Sequence, residues 1–582
     1  MAAVPETLRA RVQAWIDDDP DPETRDELRA LLAEENRAAL EERFGPPLSF
    51  GTAGLRGLLG AGPSRMNRRV VLRTTAGLCA YLQQHVPDAV SRGVCIGYDG
   101  RRNSRLFAED VAAAVAGAGF RAWLFDRMVP TPLLAFAVRD RGAAAGVMIT
   151  ASHNPPDYNG YKVFWGNGAQ IVPPHDEGIS RCIESAPAVA DLPRLSLDDA
   201  IARGLLEPLG EPVVRRYLDA VAALSTRPPR PEALVIAYTA LHGVGEPYLR
   251  AVLGAAGFRQ LHSVAEQAEP DGRFPTVVFP NPEEAGAMDL VLALGERVGA
   301  DLVLANDPDA DRLAVAARDR SGRLAMLGGN DVGCLIGHHL LTQGSPTERR
   351  FVLSTLVSSP LLGAIARAHG AHWEQTLTGF KWIAHRAMEL EASGHGRFVM
   401  GYEEALGYCV GDVVRDKDGI SSALVVAEMA AALRAQGRTL HDELEACWRR
   451  YGMVVSRQVS LVRPGTAGLA EIAERMQRAR AARPQALGET RVLATVDLQQ
   501  RLRHLDDGRH EPVPLPAADV LLFELEGGHR AMLRPSGTEP KLKMYFDVRV
   551  DVGADEPIES ARLRADERLT RLESAVRTLL GL

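Results

Sequence analysis

The stretch Gly146-Val147-Met148-Ile149-Thr150-Ala151-Ser152-His153-Asn154-Pro155 decides the fold class, because an apolar run passes directly into a turn-forming loop. The apolar run predicts a buried strand, and the Asn-Pro pair predicts that regular structure stops there. Upstream, Gly93-Val94-Cys95-Ile96-Gly97-Tyr98-Asp99 and Arg121-Ala122-Trp123-Leu124-Phe125 predict two more strands, with a helix at 107–118 between them. This alternation predicts a mostly parallel sheet covered by helices, with Ser152 at the carboxyl end of a strand.

The same rhythm restarts further along the chain. After the proline-rich Arg227-Pro228-Pro229-Arg230-Pro231, strands are predicted at 234–238 and 301–305, and a third cycle runs from about 329 to 450. The N-terminal residues 6–44 have apolar side chains at helical spacing and predict helix.

The last part of the chain has a different pattern. Closely spaced strands are predicted at 520–525, 531–534 and 543–548, and a helix from about 558. This pattern predicts an α+β domain with a more antiparallel sheet. We therefore expect four domains: an N-terminal helix with a serine-bearing α/β domain at 1–224, α/β domains at 225–326 and 327–452, and a C-terminal α+β domain at 453–582.

Composition narrows the classes of function. The chain has 582 residues, 46% hydrophobic and 24% charged, which is ordinary for a globular protein. A net charge of −8 argues against a nucleic-acid partner. The six scattered cysteines lack a C-x-x-C pair, which argues against a zinc site or a disulfide framework and favours the cytoplasm. The sequence has neither a signal-peptide pattern nor an apolar run near the ~20 residues of a membrane span, so no membrane partner is expected. No protein partner is evident from the sequence.

Ser152 is the first candidate functional residue. Ligands bind at the carboxyl ends of strands in open α/β sheets, and serine can carry a phosphoryl group covalently. A plain surface turn is the competing interpretation. A hydrolase is disfavoured because no G-x-S-x-G elbow is present, and because the adjacent His153 would point to the opposite face of an extended chain. Lys162 is a candidate for neutralising phosphate, or a solvated surface lysine.

Three aspartates follow a predicted strand in Asp307-Pro308-Asp309-Ala310-Asp311-Arg312. In extended chain, this alternate spacing turns three carboxylates to one side, and oxygen ligands select Mg²⁺ rather than zinc. An EF-hand is excluded by spacing, because arginines occupy its glycine and glutamate positions. A solvated acidic loop is the alternative. Carboxylates without a counter-ion would repel one another, which favours a bound divalent ion.

Two later segments offer groups that can bind hydroxyl groups or an anion. Gly401-Tyr402-Glu403-Glu404 offers carboxylates that accept hydrogen bonds from hydroxyl groups, although an exposed pair of glutamates is the simpler interpretation. Arg534-Pro535-Ser536-Gly537-Thr538 combines a guanidinium with hydroxyls and successive N–H groups, which suits an anion, or else forms an ordinary turn.

These four segments, in this order, resemble the α-D-phosphohexomutases, the superfamily of phosphoglucomutase and phosphomannomutase. The resemblance runs from about Phe50 to about Phe546. It includes Phe50-Gly51-Thr52-Ala53-Gly54-Leu55-Arg56-Gly57 and Leu241-His242-Gly243-Val244-Gly245. It implies three similar α/β domains with mixed, mostly parallel sheets and a C-terminal α+β domain around a central cleft.

The resemblance also implies roles for individual residues. Arg56 would face Ser152, Arg312 would help hold the phosphoserine, and Lys417 in Asp416-Lys417-Asp418-Gly419 would be the general acid/base. The implied residues are catalytic Ser152, Arg56, Lys162 and Lys417; metal-binding Ser152, Asp307, Asp309 and Asp311; and substrate-binding Thr378, Gly379, Lys381, Glu403, Glu404, Arg534, Ser536, Gly537 and Thr538.

One position departs from many members of the superfamily. Ala405 stands where they have serine, two positions after the first sugar-binding glutamate. The same pattern occurs in the bacterial α-phosphoglucomutase and phosphoglucomutase-2-like branch, some of which handle phosphopentoses.

The resulting functional prediction is a mutase that interconverts glucose 1-phosphate and glucose 6-phosphate. The reaction would use a phosphoserine, Mg²⁺ and bound glucose 1,6-bisphosphate. The alternatives of similar mechanism are a phosphomannomutase, a phosphopentomutase and a sugar-bisphosphate synthase. More distant alternatives are a phosphatase in which water attacks the phosphoserine, and an inactive phosphosugar-binding protein.

Overall fold

A computed structural model describes residues 3–49, 54–345, 347–463, 465–536 and 541–582. The chain forms two compact units. The first consists of Met1–Gly329, Gly379–Glu389 and Ala405–Thr439, and the second of Asn330–Thr378, Leu390–Glu404 and Leu440–Leu582. Within the described ranges, no helix has the length and apolar character that crossing a membrane requires.

The helices, in chain order, are α1 Glu6–Asp18, α2 Pro22–Ala33, α3 Arg37–Arg43, α4 Arg68–His85, α5 Ala89–Arg92, α6 Ser104–Gly117, α7 Thr131–Arg141, α8 His175–Glu184, α9 Leu197–Ala202, α10 Glu211–Ala222, α11 Glu246–Ala255, α12 Ala265–Ala268, α13 Asp289–Val298, α14 Gly329–Gln343, α15 Leu361–Ala368, α16 Phe380–Ala392, α17 Gly419–Ala435, α18 Leu440–Tyr451, α19 Gly465–Ala482 and α20 Ile558–Leu580.

The strands, in chain order, are β1 Leu55–Leu58, β2 Val94–Tyr98, β3 Ala122–Phe125, β4 Ala145–Ile149, β5 Tyr158–Trp165, β6 Leu206–Leu209, β7 Val235–Thr239, β8 Gln260–Ser263, β9 Leu302–Ala305, β10 Ala314–Arg318, β11 Leu324–Leu327, β12 Arg350–Thr355, β13 His372–Thr376, β14 Arg397–Glu403, β15 Gly407–Val410, β16 Met453–Val462, β17 Ala486–Leu487, β18 Thr490–Asp497, β19 Leu502–Leu505, β20 His510–Pro512, β21 Leu521–Leu525, β22 His529–Pro535 and β23 Lys541–Val550.

The helical region predicted at 6–44 consists of three helices. Asp21 caps α2, where a proline occupies the first turn, and Asn36 caps α3. Side-chain oxygens at these positions accept bonds from the free N–H groups of the first turn, which is why the chain restarts a helix there. The apolar faces of the three helices form a small core that includes Val12, Leu28 and Leu40.

The first sheet has six strands in the order β1-β5-β4-β2-β3-β6. The neighbours β4, β2, β3 and β6 are parallel, whereas β5 and β1 are added antiparallel at one edge. The predicted strands around Ser152 are confirmed, but β5 and β1 were not predicted as strands. They position Lys162 opposite Met148 on β4, and Arg56 opposite Gly160 on β5, so both side chains belong to strands next to the serine loop.

The second sheet has the order β11-β10-β9-β7-β8. Strands β8, β7 and β9 are parallel, and β10 and β11 are antiparallel additions. The aspartate segment lies between β9 and β10 in the chain. Since these strands are antiparallel neighbours, the segment forms the short connection that joins them. Apolar residues of both strands, including Val303 and Ala316, lie in one core.

The second unit contains parallel strands in the order β13-β12-β14 and an antiparallel sheet, β16-β23-β22-β21-β18-β19-β20, with β17 paired to β18. Helix α20 packs on β23 and β16 through a buried stripe that includes Ala565, Leu569 and Val576. The expected fold class, mixed α/β sheets followed by a C-terminal α+β domain, is confirmed.

Candidate functional site

Ser152 lies in the first unit, in the loop directly after β4. Its φ of 51° is in the left-handed region, which non-glycine residues seldom adopt and which is common at functional sites. The backbone N–H of Ser152 donates to Oγ1 of Thr150 at 2.9 Å, and its own Oγ donates to Oδ2 of Asp307 at 2.7 Å. The side chain is therefore buried against the aspartate loop. Ser152 is thus not part of an exposed surface turn, which was the competing interpretation of its sequence.

His153 does not point away from the serine. Its Nδ1 lies 3.3 Å from Oγ of Ser152, because the left-handed backbone at Ser152 replaces the extended conformation in which neighbouring side chains diverge. Burial lowers the pKa of His153 well below its usual value, and the cations of Arg312, Arg56 and Lys162 add to this effect. The ring is therefore neutral at pH 7.

The aspartate segment is a turn rather than extended chain. The backbone N–H of Ala310 donates to the carbonyl of Asp307 at 2.9 Å, and Ala310 has a φ of 53°. The turn brings one carboxylate oxygen from each of Asp307, Asp309 and Asp311 to within 4.8 Å of one another. The predicted convergence therefore occurs through a different backbone geometry.

The sequence suggested three carboxylates without counter-ions. The structure instead places two lysines beside them. Lys162 Nζ lies 2.8 Å from Oδ2 of Asp309 and 3.1 Å from Oδ2 of Asp311, and Lys417 Nζ lies 3.2 Å from the same oxygen of Asp311. Both lysine side chains are buried, so these contacts act at low dielectric. Lys162 is consequently not a solvated surface lysine.

Asp307 ionises differently from Asp309 and Asp311, whose pKa values are both lowered. Burial, followed by the charges of Asp309 and Asp311, raises the pKa of Asp307 well above its usual value. For Asp309, burial acts in the same direction, but the charge and hydrogen bond of Lys162 outweigh it, and a hydrogen bond from Thr131 adds to the lowering, so its pKa is below the usual value. Of the three carboxyl groups, the one that contacts Ser152 is therefore the only one whose pKa is raised.

The site fits a hard cation. Oδ1 of Asp309 and Oδ1 of Asp311 are buried and have no hydrogen-bond donor among the described residues. An unsatisfied buried carboxylate oxygen is costly, and a metal ion is a common reason for one. Together with Asp307 and the serine oxygen, these atoms form an all-oxygen ligand set, which suits Mg²⁺.

Two arginines flank the serine and aspartate loops. Nη1 of Arg56 donates to Oδ1 of Asn154 in the serine loop at 2.7 Å, and its charge acts on all three aspartates. Arg312 donates to the carbonyl of Ala405, and Asp307 accepts from the backbone N–H of Arg312 at 3.0 Å. Arg56 therefore contacts the serine loop through Asn154, whereas Arg312 ties the aspartate loop to the segment after the paired glutamates.

The residues implied for sugar binding lie in both units. Gly379 and Lys381 belong to the first unit, whereas Thr378 and both glutamates belong to the second. Burial lowers the pKa of Lys381. Glu404 is held within the second unit, because its Oε2 accepts from the hydroxyls of Thr355 and Ser358, each at 3.3 Å.

The implied phosphate segment follows β22 in the second unit. Arg534 pairs with Lys543 in the sheet register, and the backbone N–H of Ser536 donates to the carbonyl of Lys541 at 2.8 Å. Gly537 and Thr538 lie outside the described residues, as do Phe50 to Ala53 of the earlier glycine-rich segment.

Comparison with known proteins decides the family. Models described as phosphoglucomutase/phosphomannomutase, alpha/beta/alpha domains I, II and III match residues 47–189, 215–322 and 328–451. The chain belongs to the phosphoglucomutase/phosphomannomutase family. As a member of the α-D-phosphohexomutase superfamily, it is an enzyme of the phosphomutase type.

Similar proteins span most of this phosphomutase. The probable phosphomannomutase of Haemophilus influenzae is 41% identical over 521 residues, covering 88% of this chain and 98% of the relative. The probable phosphoribomutase of Schizosaccharomyces pombe is 38% identical over 558 residues, covering 93% and 94%. A crystal structure of the Paramecium phosphoglucomutase parafusin has the same fold, with a TM-score of 0.67, 17% identity and coverage of 92% and 96%.

Sequence reasoning missed the arginine that anchors the serine loop of this phosphomutase. The guanidinium of Arg101 is buried and donates to the carbonyls of Ser152 at 2.6 Å, Pro155 at 2.9 Å and Tyr158 at 3.2 Å. It also stacks over the ring of Phe274, 4.9 Å from the centroid. The only sequence signal was its position just after a predicted strand.

Two further residues connect this anchor to the site. Asp99 accepts from Oγ1 of Thr150 at 2.6 Å, and that oxygen accepts from the N–H of Ser152, so the carboxylate fixes the serine backbone indirectly. Thr131, at the start of α7, donates through Oγ1 to Oδ2 of Asp309 at 2.7 Å. Neither role follows from spacing, because each contact joins elements distant in the chain.

Close backbone packing supports the aspartate loop. A Cβ atom on Gly243 would lie 2.4 Å from Cα of Pro308, and one on Gly419 would lie 2.3 Å from the carbonyl oxygen of Arg312. Glycine at these positions lets the two segments pack directly on the loop. Two residues before Gly419, Lys417 contacts Asp311 through Nζ at 3.2 Å.

Replacing Arg101 with methionine is expected to lower kcat at least tenfold and to reduce the free energy of unfolding by about 3 to 5 kcal/mol. The substitution removes the loop anchor and leaves the charge of Asp99 buried without its partner. Kinetics with the fully folded variant and urea unfolding measure the two effects.

The matched control is Arg105→Met on α6, where the arginine side chain is 75% exposed and pairs with Glu109. Its effect on stability should be within about 0.5 kcal/mol. A wild-type kcat in Arg101→Met would show that the loop keeps its geometry without this arginine.

Proposed function

We propose that this phosphomutase carries the phosphoryl group on Ser152 and interconverts glucose 1-phosphate and glucose 6-phosphate. The observation that carries the proposal is the 2.7 Å hydrogen bond from Ser152 to Asp307, which places one hydroxyl at the edge of three buried carboxylates. Positioning and charge neutralisation supply most of the catalysis of phosphoryl transfer, and this arrangement offers both.

The proposed reaction begins with phosphorylated Ser152. The free hydroxyl of the sugar forms a bond to phosphorus while the bond between phosphorus and Oγ of Ser152 breaks, and the hydroxyl proton leaves to a general base. The intermediate, glucose 1,6-bisphosphate, reorients in the site. Its other phosphoryl group is then transferred to Ser152. The sugar oxygen released in this second step takes up a proton, so the cycle balances without another reactant. Lys417, 3.2 Å from Asp311, is the candidate general acid/base.

Mg²⁺ is the proposed metal. Its protein ligands would be Asp307, Asp309 and Asp311, with an oxygen from Ser152 or its phosphoryl group. When bound, it supplies positive charge that stabilises the transferring phosphoryl group. Arg56 and Lys162 orient the loops, because each contacts a residue of the serine or aspartate segment directly.

The sugar and its second phosphate are assigned to other segments. Glu404 already accepts hydrogen bonds from its own unit, which leaves Glu403 as the better candidate for sugar hydroxyls. The proposed substrate-binding residues are Thr378, Gly379, Lys381, Glu403 and Glu404 for the sugar, and Arg534, Ser536, Gly537 and Thr538 for the phosphate that is not transferred.

A pentose phosphate is the second candidate substrate. The 38% identical relative is named a phosphoribomutase, and Ala405 replaces a serine that many superfamily members have. Both observations support ribose 1-phosphate and ribose 5-phosphate as an alternative pair. The 41% identical relative, named a phosphomannomutase, supports including mannose in the same comparison.

The deciding experiment compares kcat/KM for glucose 1-phosphate, mannose 1-phosphate and ribose 1-phosphate, with the matching sugar bisphosphate supplied. The highest value is expected for glucose 1-phosphate, with release of inorganic phosphate much slower than isomerisation. A higher value for ribose 1-phosphate would replace glucose as the substrate. Phosphate release at the rate of sugar turnover would instead indicate a phosphatase.

Arg534→Ala is expected to raise KM and to lower kcat, each about tenfold. The arginine is proposed to hold the phosphate that is not being transferred, and binding energy used to orient the substrate appears in kcat as well as in KM. Steady-state kinetics with varied glucose 1,6-bisphosphate measure both constants, and escape of the bisphosphate should increase its required concentration.

The control for this variant is Arg503→Ala on β19, whose guanidinium pairs with Glu511 and Glu524. Its kinetic constants should match those of the wild type. If Arg534→Ala also behaves as the wild type, the segment after β22 is only a turn.

We also propose the division into four domains at 1–224, 225–326, 327–452 and 453–582. The order of strands supports it, since the strands of each sheet are consecutive in the chain. None of the six cysteines forms a disulfide, which supports a cytoplasmic location for the enzyme.

A further inference from the structure

A second group of metal-binding side chains lies within the second unit. It consists of His338 on α14 and Glu443 and Cys447 on α18, whose ligand atoms are within 4.8 Å of one another. Nε2 of His338 is 3.2 Å from Oε1 of Glu443. Glu443 and Cys447 are four residues apart and share one face of α18, which turns both toward α14. The sequence did not reveal this group, because its members come from two helices that are far apart in the chain.

Tyr451 orients the imidazole of this group. Its hydroxyl lies 3.4 Å from Nδ1 of His338 and 3.1 Å from Nε2 of His369. When Nδ1–H of His338 donates to the Tyr451 oxygen, the tyrosine hydroxyl donates to His369. In this tautomer the lone pair on Nε2 of His338 is available to an ion that lies between it and Glu443. Metal-binding histidines commonly donate their other ring N–H to an outer partner in this way.

We propose that His338, Glu443 and Cys447 bind a zinc-type divalent ion, with water as a fourth ligand. A thiolate, an imidazole and a carboxylate form a ligand set that zinc prefers and Mg²⁺ does not. Ligand atoms around tetrahedral zinc are about 3.3 to 3.7 Å apart, given bond lengths of about 2.0 to 2.3 Å. The separation of His338 from Glu443 is already close to this range.

The group is partly exposed to solvent, so an ion can enter. The side chains of His338 and Glu443 are 11% and 17% exposed, whereas Cys447 is buried. The ion would therefore reach the thiol from the solvent side, and binding would release the thiol proton. Bound there, it joins α14 to α18, so its role is to stabilise the second unit rather than to take part in phosphoryl transfer.

Cobalt titration of the chelator-treated full chain tests this site separately from the aspartates. Only a cysteine thiolate bound to Co²⁺ gives a sulfur-to-metal charge-transfer band in the near ultraviolet, and the aspartate site has no sulfur. We expect this band to level off at the intensity of one cobalt–thiolate bond per chain and to disappear when Zn²⁺ displaces Co²⁺. Absence of the band from the wild type would overturn the proposal.

Variants identify the thiol responsible. Cys447→Ser should lose the band, and Cys182→Ser, which changes a more exposed cysteine, should keep it. Persistence of the band in Cys447→Ser would overturn the assignment. Mutase activity with Mg²⁺ and circular dichroism establish that each variant is folded.

Tyr451→Phe provides a test that leaves all three ligands in place. Loss of an outer hydrogen bond typically lowers metal affinity about 10- to 100-fold. We expect this decrease in zinc affinity, measured by competition with a chromophoric chelator. Unchanged affinity would mean that zinc does not use His338 in the orientation described, and would contradict the proposal even if Cys447→Ser failed to fold.

Discussion

Replacing Ser152 with alanine is expected to reduce mutase turnover at least a thousandfold, a loss of about 4 kcal/mol of transition-state stabilisation. The variant has no oxygen to carry the phosphoryl group, so the covalent step cannot occur. The fold should persist, because the backbone N–H of residue 152 still donates to Thr150 and Arg101 still holds the loop carbonyls. Loss of the single hydrogen bond to Asp307 should cost about 1 kcal/mol of stability.

Intact-mass measurement links the loss of activity to the covalent step. After incubation with glucose 1,6-bisphosphate, the wild type should gain one phosphate, and Ser152→Ala should gain none. Ser91→Ala, at an exposed serine that bonds only to the carbonyl of Asp88 within the described contacts, serves as the control and should behave as the wild type. Substantial mutase activity in Ser152→Ala would sink the phosphoserine mechanism.

Asp309→Asn is expected to reduce kcat at least a hundredfold at ordinary Mg²⁺ concentrations. The substitution keeps the size of the side chain but removes one of three buried negative charges at the proposed metal site. Thr131 and Lys162 both bond to Oδ2 of Asp309 and hold this carboxylate in place. No change in its position is therefore expected to compensate for the lost charge. Activity measured across a range of Mg²⁺ concentrations should show a higher requirement for metal.

Chelation gives the corresponding test on the wild type. EDTA should abolish turnover, and Mg²⁺ should restore it. Asp198→Asn changes an exposed aspartate at the start of α9 and should leave the metal dependence unchanged. Full activity in chelated enzyme, or normal Mg²⁺ dependence in Asp309→Asn, would contradict the assignment of the aspartates.

The central strands could be predicted because their apolar runs are continuous. Strands β2 and β4 bury every residue, so composition alone marked them, and the segment after β4 identified Ser152. Strand β5 was not predicted, because its Tyr-Asn-Gly-Tyr-Lys start has the composition of a loop and becomes a strand only by pairing with β4. Its long-range pairing is also what buries Lys162.

The sequence identified the residues of the site better than it predicted their backbone geometry and contacts. The aspartates were identified from spacing, but the turn at Ala310 and the lysine counter-ions required the tertiary structure. Likewise, the position of His153 depends on the left-handed backbone of Ser152, which no composition rule specifies. Long-range contacts between strands and loops account for these differences.

The way in which Arg101 holds the serine loop has a consequence for protein engineering. The guanidinium bonds to main-chain carbonyls, which every amino acid possesses, and not to the side chains of the loop. The path of the backbone is thus largely independent of which residues occupy positions 153 and 157. Libraries that vary those positions can alter the surroundings of the nucleophile while the scaffold beneath it stays constant.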